Sequence, residues 1–183
     1  MNDLDGCNDD DDHKSFNEQI NQLNLRFVPS SDYIQTSISL GRGTYGYVQQ
    51  AIWQGQKVAI KCLSRAEFLK EAEKLSRVRH ENIIGVYGFT FLDNKNDFGF
   101  ILEFADGGNL YNLLHANHLS SVHYTLSHAI SWCLQCARGV KYLHSLNILH
   151  RDLKPSKYCN FLQSLKSSRL IFLLVSFSQS VFY

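Results

Sequence analysis

Excess charge is what this sequence most conspicuously lacks. Its 18 lysines and arginines nearly balance 17 aspartates and glutamates, for a formal net charge of +1. Such a balance gives no support for a nucleic-acid partner or an anionic membrane surface. A membrane-length apolar run is also missing. The most apolar stretch, Leu170 to Val175, is far short of the roughly 20 residues needed to cross a bilayer. The start, Met1-Asn2-Asp3-Leu4-Asp5, is acidic, so it reads as neither a secretory signal nor a basic transit peptide. The expected compartment is the cytosol or nucleus, cytoplasmic first. Cys133 and Cys136 form a lone C-x-x-C with no second pair nearby to complete a zinc site. With five cysteines and no secretory signal, disulfides are not expected. The i, i+3 spacing of Cys133 and Cys136 makes them candidate core thiols of a helix.

What is present suits a folded domain. Hydrophobic residues make up 44% of the 183, enough for a buried core. Residues 1–31 are polar, with an acidic run at Asp9–Asp12 that reads as solvated and flexible. From Tyr33 to Gln50 apolar and polar residues alternate around clustered glycines, as in a hairpin. Gln56–Leu63, Ile83–Phe91 and Phe98–Phe104 read as further strands, the last two joined by the polar turn Asp93-Asn94-Lys95-Asn96. Between them, Phe68, Leu69, Ala72, Leu75 and Val78 recur at helical spacing within Ser64–Val78. A short helix is predicted over Asn109–His115. A long one carries Leu126, Ile130, Cys133, Leu134, Ala137, Val140 and Leu143 as one apolar stripe. Strands first and helices second predict an α+β arrangement: a small mixed lobe followed by a helical one.

Three short motifs follow in order. Gly41-Arg42-Gly43-Thr44-Tyr45-Gly46-Tyr47-Val48 fits G-x-G-x-x-G-x-V, where glycines let a hairpin backbone approach phosphates and offer N–H donors. It lies between strand-like segments, unlike a dinucleotide fingerprint, which opens a helix. Val58-Ala59-Ile60-Lys61 occupies the next strand, and Glu71 follows on the helix, at the edge of its buried face. Glu71 can pair with Lys61, or it can belong to a surface charge set with Lys70, Glu73 and Lys74. His150-Arg151-Asp152-Leu153-Lys154-Pro155 completes the series. Each motif alone is weak; all of them in this order are not.

With these motifs the chain resembles the eukaryotic protein kinases, in particular the mixed-lineage and MAP kinase kinase kinase group and, within it, the TGF-β-activated kinase group. The narrower likeness rests on Leu75-Ser76-Arg77-Val78, Asn82-Ile83-Ile84, Gly107 to Asn112, Ser131 to Cys136 and Tyr142 to Ser145, and runs from about Asp32 to Ser156. It implies a kinase-like fold with a complete N-terminal lobe and hinge at 32–105 and the start of a helical C-terminal lobe at 106–156. It implies ATP with Mg2+ as cofactors, serine/threonine specificity (favoured by Lys154), MAP kinase kinases as protein substrates, and signalling adaptors as partners. By position, Leu40, Gly41, Gly43, Gly46 and Val48 would cover the nucleotide, with Val48 and Ala59 around the adenine. Leu102 would be the gatekeeper and Glu103 to Ala105 the hinge. Lys61, held by Glu71, would bridge the α- and β-phosphates. Asp152 would take or orient the substrate hydroxyl's proton, and Lys154 would touch the transferring phosphate.

The likeness stops inside a motif. The family continues H-R-D-L-K-P-x-N with a magnesium-holding asparagine, where this chain has Lys157. Asp97-Phe98-Gly99 precedes the catalytic loop and reads as a strand of the first lobe, not as the metal-binding D-F-G that should follow the loop. No D-F-G or A-P-E comes after Ser156. Residues 157–183 read as a non-kinase tail whose apolar run is β-prone. Ser156-Lys157-Tyr158 can be encoded by AGT-AAG-TAT, a splice-donor-like string, so translated intron is one expectation, with a poorly packed tail as its consequence. An inactive enzyme is expected; a nucleotide-binding or partner-competing module without catalysis is the alternative.

Overall fold

A computed structural model describes residues 18–43, 46–92, 97–115, 124–161 and 169–172. The predicted turn 93–96, the acidic run and most of the tail lie outside these. Five strands, β1 (Tyr33–Gly43), β2 (Gly46–Trp53), β3 (Gln56–Ser64), β4 (Val86–Phe91) and β5 (Asp97–Glu103), form one antiparallel sheet in the order β1-β2-β3-β5-β4. Helix α1 (Arg65–Leu75) covers one face of it. Helices α2 (Leu110–His115) and α3 (Leu126–Ser145) follow, and then a two-stranded ladder of β6 (Tyr158–Phe161) and β7 (Arg169–Phe172). This is an α+β arrangement, a small mixed lobe followed by the start of a helical one, as the resemblance implies.

Period-two alternation sorts the strand residues into two cores. In β3, Ala59 and Leu63 join Phe98, Phe100 and Leu102 of β5 beneath Phe68, Ala72 and Leu75 of α1. The intervening Val58, Ile60 and Cys62 face the other way, toward Val28, Tyr33, Ala51 and Ile101. Lys61 falls between Ala59 and Leu63 and so points to the α1 side. The Ser64 side chain caps α1 by accepting from the Glu67 N–H.

Several expectations are corrected. The strand expected from Ile83 begins at Val86, because the Ile83 N–H turns back to the His80 carbonyl and Ile83 and Ile84 plug the core. Helix α1 ends at Leu75 instead of Val78, although Val78 still enters the core. Residues 18–31 do not lie outside the fold. Ile20 and Val28 are buried, and a strap at 26–28 pairs with Phe89, which donates to Arg26 and accepts from Val28.

Helix α3 has the boundaries its periodicity suggests, capped by a reciprocal Thr125–His128 box. Its C-terminus is a Schellman turn. Asn147, at φ 57°, donates to His144 O, and Ile148 donates to Leu143 O. Trp132, Gly139 and Leu143 are buried, with Cys136 and Val140 packed beside them, while Leu126, Ile130 and Leu134 of the predicted stripe are exposed. Cys133 is exposed too and is therefore no core thiol; Cys136 is half-buried. The poorly packed tail is corrected for its described part: Tyr158 is buried, Ile171 is 0% exposed, and β7 packs on α3.

Candidate active site

Every sequence-predicted site residue lines one cleft of about 630 Å³, within the roughly 300–1,000 Å³ usual for small-molecule sites. Its roof is the β1–β2 hairpin with Leu40, Gly41, Gly43, Gly46 and Val48; Thr44 and Tyr45 at the hairpin tip lie outside the described residues. Cross-strand partners share a face, and the register Val48↔Lys61, Ala59↔Leu102 brings the apolar wall and the lysine together. Glu103 and Ala105 edge the cleft, the Glu103 N–H donating to Gly85 O and its carboxylate accepting from Gly85 N–H at 3.2 Å.

Gly46 pairs with Leu63, and a Cβ there would lie 2.0 Å from the Cys62 carbonyl oxygen. Gly46→Ala must therefore push β2 off β3. We expect a loss of about 1–3 kcal/mol, as for other overpacked sites, measurable as a lower midpoint in urea.

Glu71 is not at the edge of the helix's buried face but within it, 4% exposed, because it follows Phe68 by three residues. Both its carboxylate oxygens lie 2.6 Å from Lys61 Nζ, the distance of a charge-assisted bond. Burial lowers the Lys61 pKa and Glu71 opposes that shift. Burial raises the Glu71 carboxyl and Lys61 opposes that. Burial thus works against the charge of each group, and each is the main influence favouring the other's charged form.

The floor comes from the loop after α3. His150 is buried, and its Nδ1 accepts the Asp152 N–H at 3.2 Å. Arg151 between them has φ 62°, a left-handed conformation costly for a side chain of its size. This kink sets Asp152 into the cleft, where Lys154 Nζ lies 3.2 Å from Oδ1 and Lys157 Nζ 3.8 Å from Oδ2. The Lys154 hydrogen bond holds the Asp152 carboxyl below its ordinary range, with burial opposing.

Ile84, Asn109, Asn112 and Lys157 also line the cleft and were not among the predicted site residues. Ile84, Asn109 and Asn112 lay in stretches that carried the family likeness without a site role, and Lys157 stood out as a lysine where a metal ligand belongs. Asp97-Phe98-Gly99 is absent from the lining; Phe98 is buried in β5, stacked on Phe68.

A magnesium site fits these residues poorly. Among the described residues no three carboxylates, imidazoles or thiols converge. Asp152 is the one carboxylate of this loop that lines the cleft. Hard divalent cations need several oxygen ligands, and here two ammoniums already hold the one carboxylate of the loop.

The profile of protein tyrosine and serine/threonine kinases matches residues 34–158, more than half of the chain. The chain belongs to the protein kinase family. It is 43% identical over 133 residues to the human mitogen-activated protein kinase kinase kinase 7, covering 68% of this chain and 21% of that protein. The Bos taurus protein of that name is equally similar, and the Drosophila melanogaster one is 40% identical over 143 residues, 74% of this chain and 20% of the relative. The chain thus spans about a fifth of the length of these curated relatives. Among the described residues no helix is long and apolar enough to cross a membrane.

Proposed function

We propose that this chain carries the nucleotide-binding machinery of a cytoplasmic serine/threonine kinase of the MAP kinase kinase kinase type, whose substrates are the hydroxyls of MAP kinase kinases. The observation that carries the reading is convergence: the Lys61–Glu71 pair, the glycine hairpin and Asp152 with Lys154 meet in one cleft. In this reading Val48 and Ala59 hold the adenine beside Leu102, and the hinge backbone at Glu103 to Ala105 reads its edge. Lys61 meets the α- and β-phosphates. Asp152 accepts the substrate hydroxyl's proton, and Lys154 stabilises the transferring phosphoryl group. Transfer is expected to be impaired, because Lys157 stands at a metal-ligand position and its ammonium lies 3.8 Å from Asp152.

The test is ATP-analogue affinity of the purified chain and of Lys61→Ala. On the order of a tenfold weakening is expected from losing one close charge–charge contact; equal affinities would defeat the nucleotide reading. Phosphate incorporation into a MAP kinase kinase, abolished by Asp152→Ala, would show that the sequence is active after all.

A further inference from the structure

We infer that the phosphate end of this cleft carries a built-in cation, the Lys157 ammonium, in place of a divalent metal, so that a nucleoside triphosphate is bound metal-free. The inference rests on the nucleotide reading above and specifies the ionic form of its ligand.

The charge balance of the polar end favours this. Lys61, Lys154 and Lys157 line it, against Glu71 and Asp152. Lys61 is engaged by Glu71 at 2.6 Å, and Asp152 lies between Lys154 and Lys157. The five groups carry one net positive charge. A free triphosphate, with its several negative charges, meets complementary potential there. A divalent cation arriving with it meets three ammoniums, and the carboxylate nearest the phosphate position is already held by two of them.

Lys157 is also placed firmly enough to serve. It ends the 3-10 turn Pro155–Lys157, its N–H donating to Lys154 O at 2.8 Å. The next residue, Tyr158, is buried and begins β6. The Lys157 side chain is only 18% exposed. Behind burial, which dominates at both groups, its charge opposes the Lys61 ammonium and favours the Glu71 carboxylate, so both members of the deeper ion pair feel it. The ammonium thus lies in the field of Lys61 as well as beside Asp152, on the same polar floor. A partly desolvated ammonium in such a site interacts with phosphate more strongly than one in bulk water.

The experiment is calorimetric titration of the full chain with ATP and with adenosine, each in EDTA and in excess Mg2+. We expect ATP to bind in EDTA at least as tightly as in Mg2+. Lys157→Gln should weaken ATP binding in EDTA by about tenfold, Lys157→Arg should keep it within about twofold, and adenosine should bind all three proteins alike. Adenosine binding also reports that each variant is folded. Tenfold tighter ATP binding in Mg2+ by the wild type would overturn the inference, as would unchanged ATP affinity in Lys157→Gln. Adenosine binding without ATP binding would overturn it while leaving the purine site standing. Failure of both ligands in every buffer would remove the nucleotide reading itself.

Discussion

Phe68→Ala is expected to lower stability by about 3–5 kcal/mol, against a total of about 5–15 kcal/mol for a typical domain. Phe68 is 0% exposed and is the centre of an aromatic cluster. Its ring lies 4.4 Å from that of Phe100, 5.0 Å from Phe98 and 5.6 Å from Phe89. It thereby ties α1 to β5 and β4 at once, and three rings lose their partner when it goes. Rigid backbones around such a site collapse only partly, so a cavity term adds to the lost burial. Urea unfolding followed by circular dichroism measures the change. A loss under 1 kcal/mol would mean that α1 is not packed on the sheet in this way. Because α1 also carries Glu71, ATP-analogue binding should fall together with stability.

The second large effect concerns the buried ion pair. Lys61→Met and Glu71→Leu are each expected to cost about 3–5 kcal/mol, because each strands a charge away from water. The partners are only 6% and 5% exposed at the side chain, so solvent screening does little to soften this. Replacing both, as in Lys61→Met with Glu71→Leu, should be much less damaging than either single change, since two apolar groups of similar volume need no partner. The cycle therefore gives a coupling energy of opposite sign to the summed single losses. Additive losses would show that Lys61 and Glu71 do not depend on each other. The double variant should be folded and yet bind the ATP analogue about tenfold more weakly, which separates the pair's role in folding from its role in the cleft.

Much of this arrangement was legible in the sequence, for identifiable reasons. Strand alternation fixes the face on which Lys61 lies once Ala59 and Leu63 are known to be apolar, and the hairpin glycines mark where β1 turns into β2. Motif order brought Asp152 and Lys154 to the same cleft as the N-terminal elements. Helix α3 was legible in extent but not in orientation. It carries apolar residues on more than one side, Leu126, Ile130 and Leu134 on one and Trp132, Cys136 and Leu143 on another. Periodicity cannot say which side meets the small lobe. The pairing of Tyr158–Phe161 with Arg169–Phe172 was hidden because neither segment alternates and seven residues separate them. The strap at 26–28 carried no signal either, since a few residues of extended backbone add to a strand edge through main-chain groups alone. Lys157 was legible as the loss of a ligand; its contact with Asp152 needed the fold.

The loop at 78–84, between α1 and β4, is fastened to α3 at several points. The Tyr142 hydroxyl accepts the Arg79 N–H at 3.0 Å, and the Tyr142 ring stacks on His80. Asn82 Nδ2 donates to Gln135 Oε1 at 3.3 Å. Gly139 allows the loop to approach so closely that a Cβ there would stand 3.3 Å from Asn82 O. In mechanical terms this is a pivot at the back of the jaw. With the rear of the small lobe clamped to the helix beneath it, the cleft has its smallest travel near Ile84 and its largest at the β1–β2 hairpin. An opening of the cleft about this clamp would lift the glycine hairpin, while Lys61 and Glu71, both on the small lobe's own elements, would keep their contact.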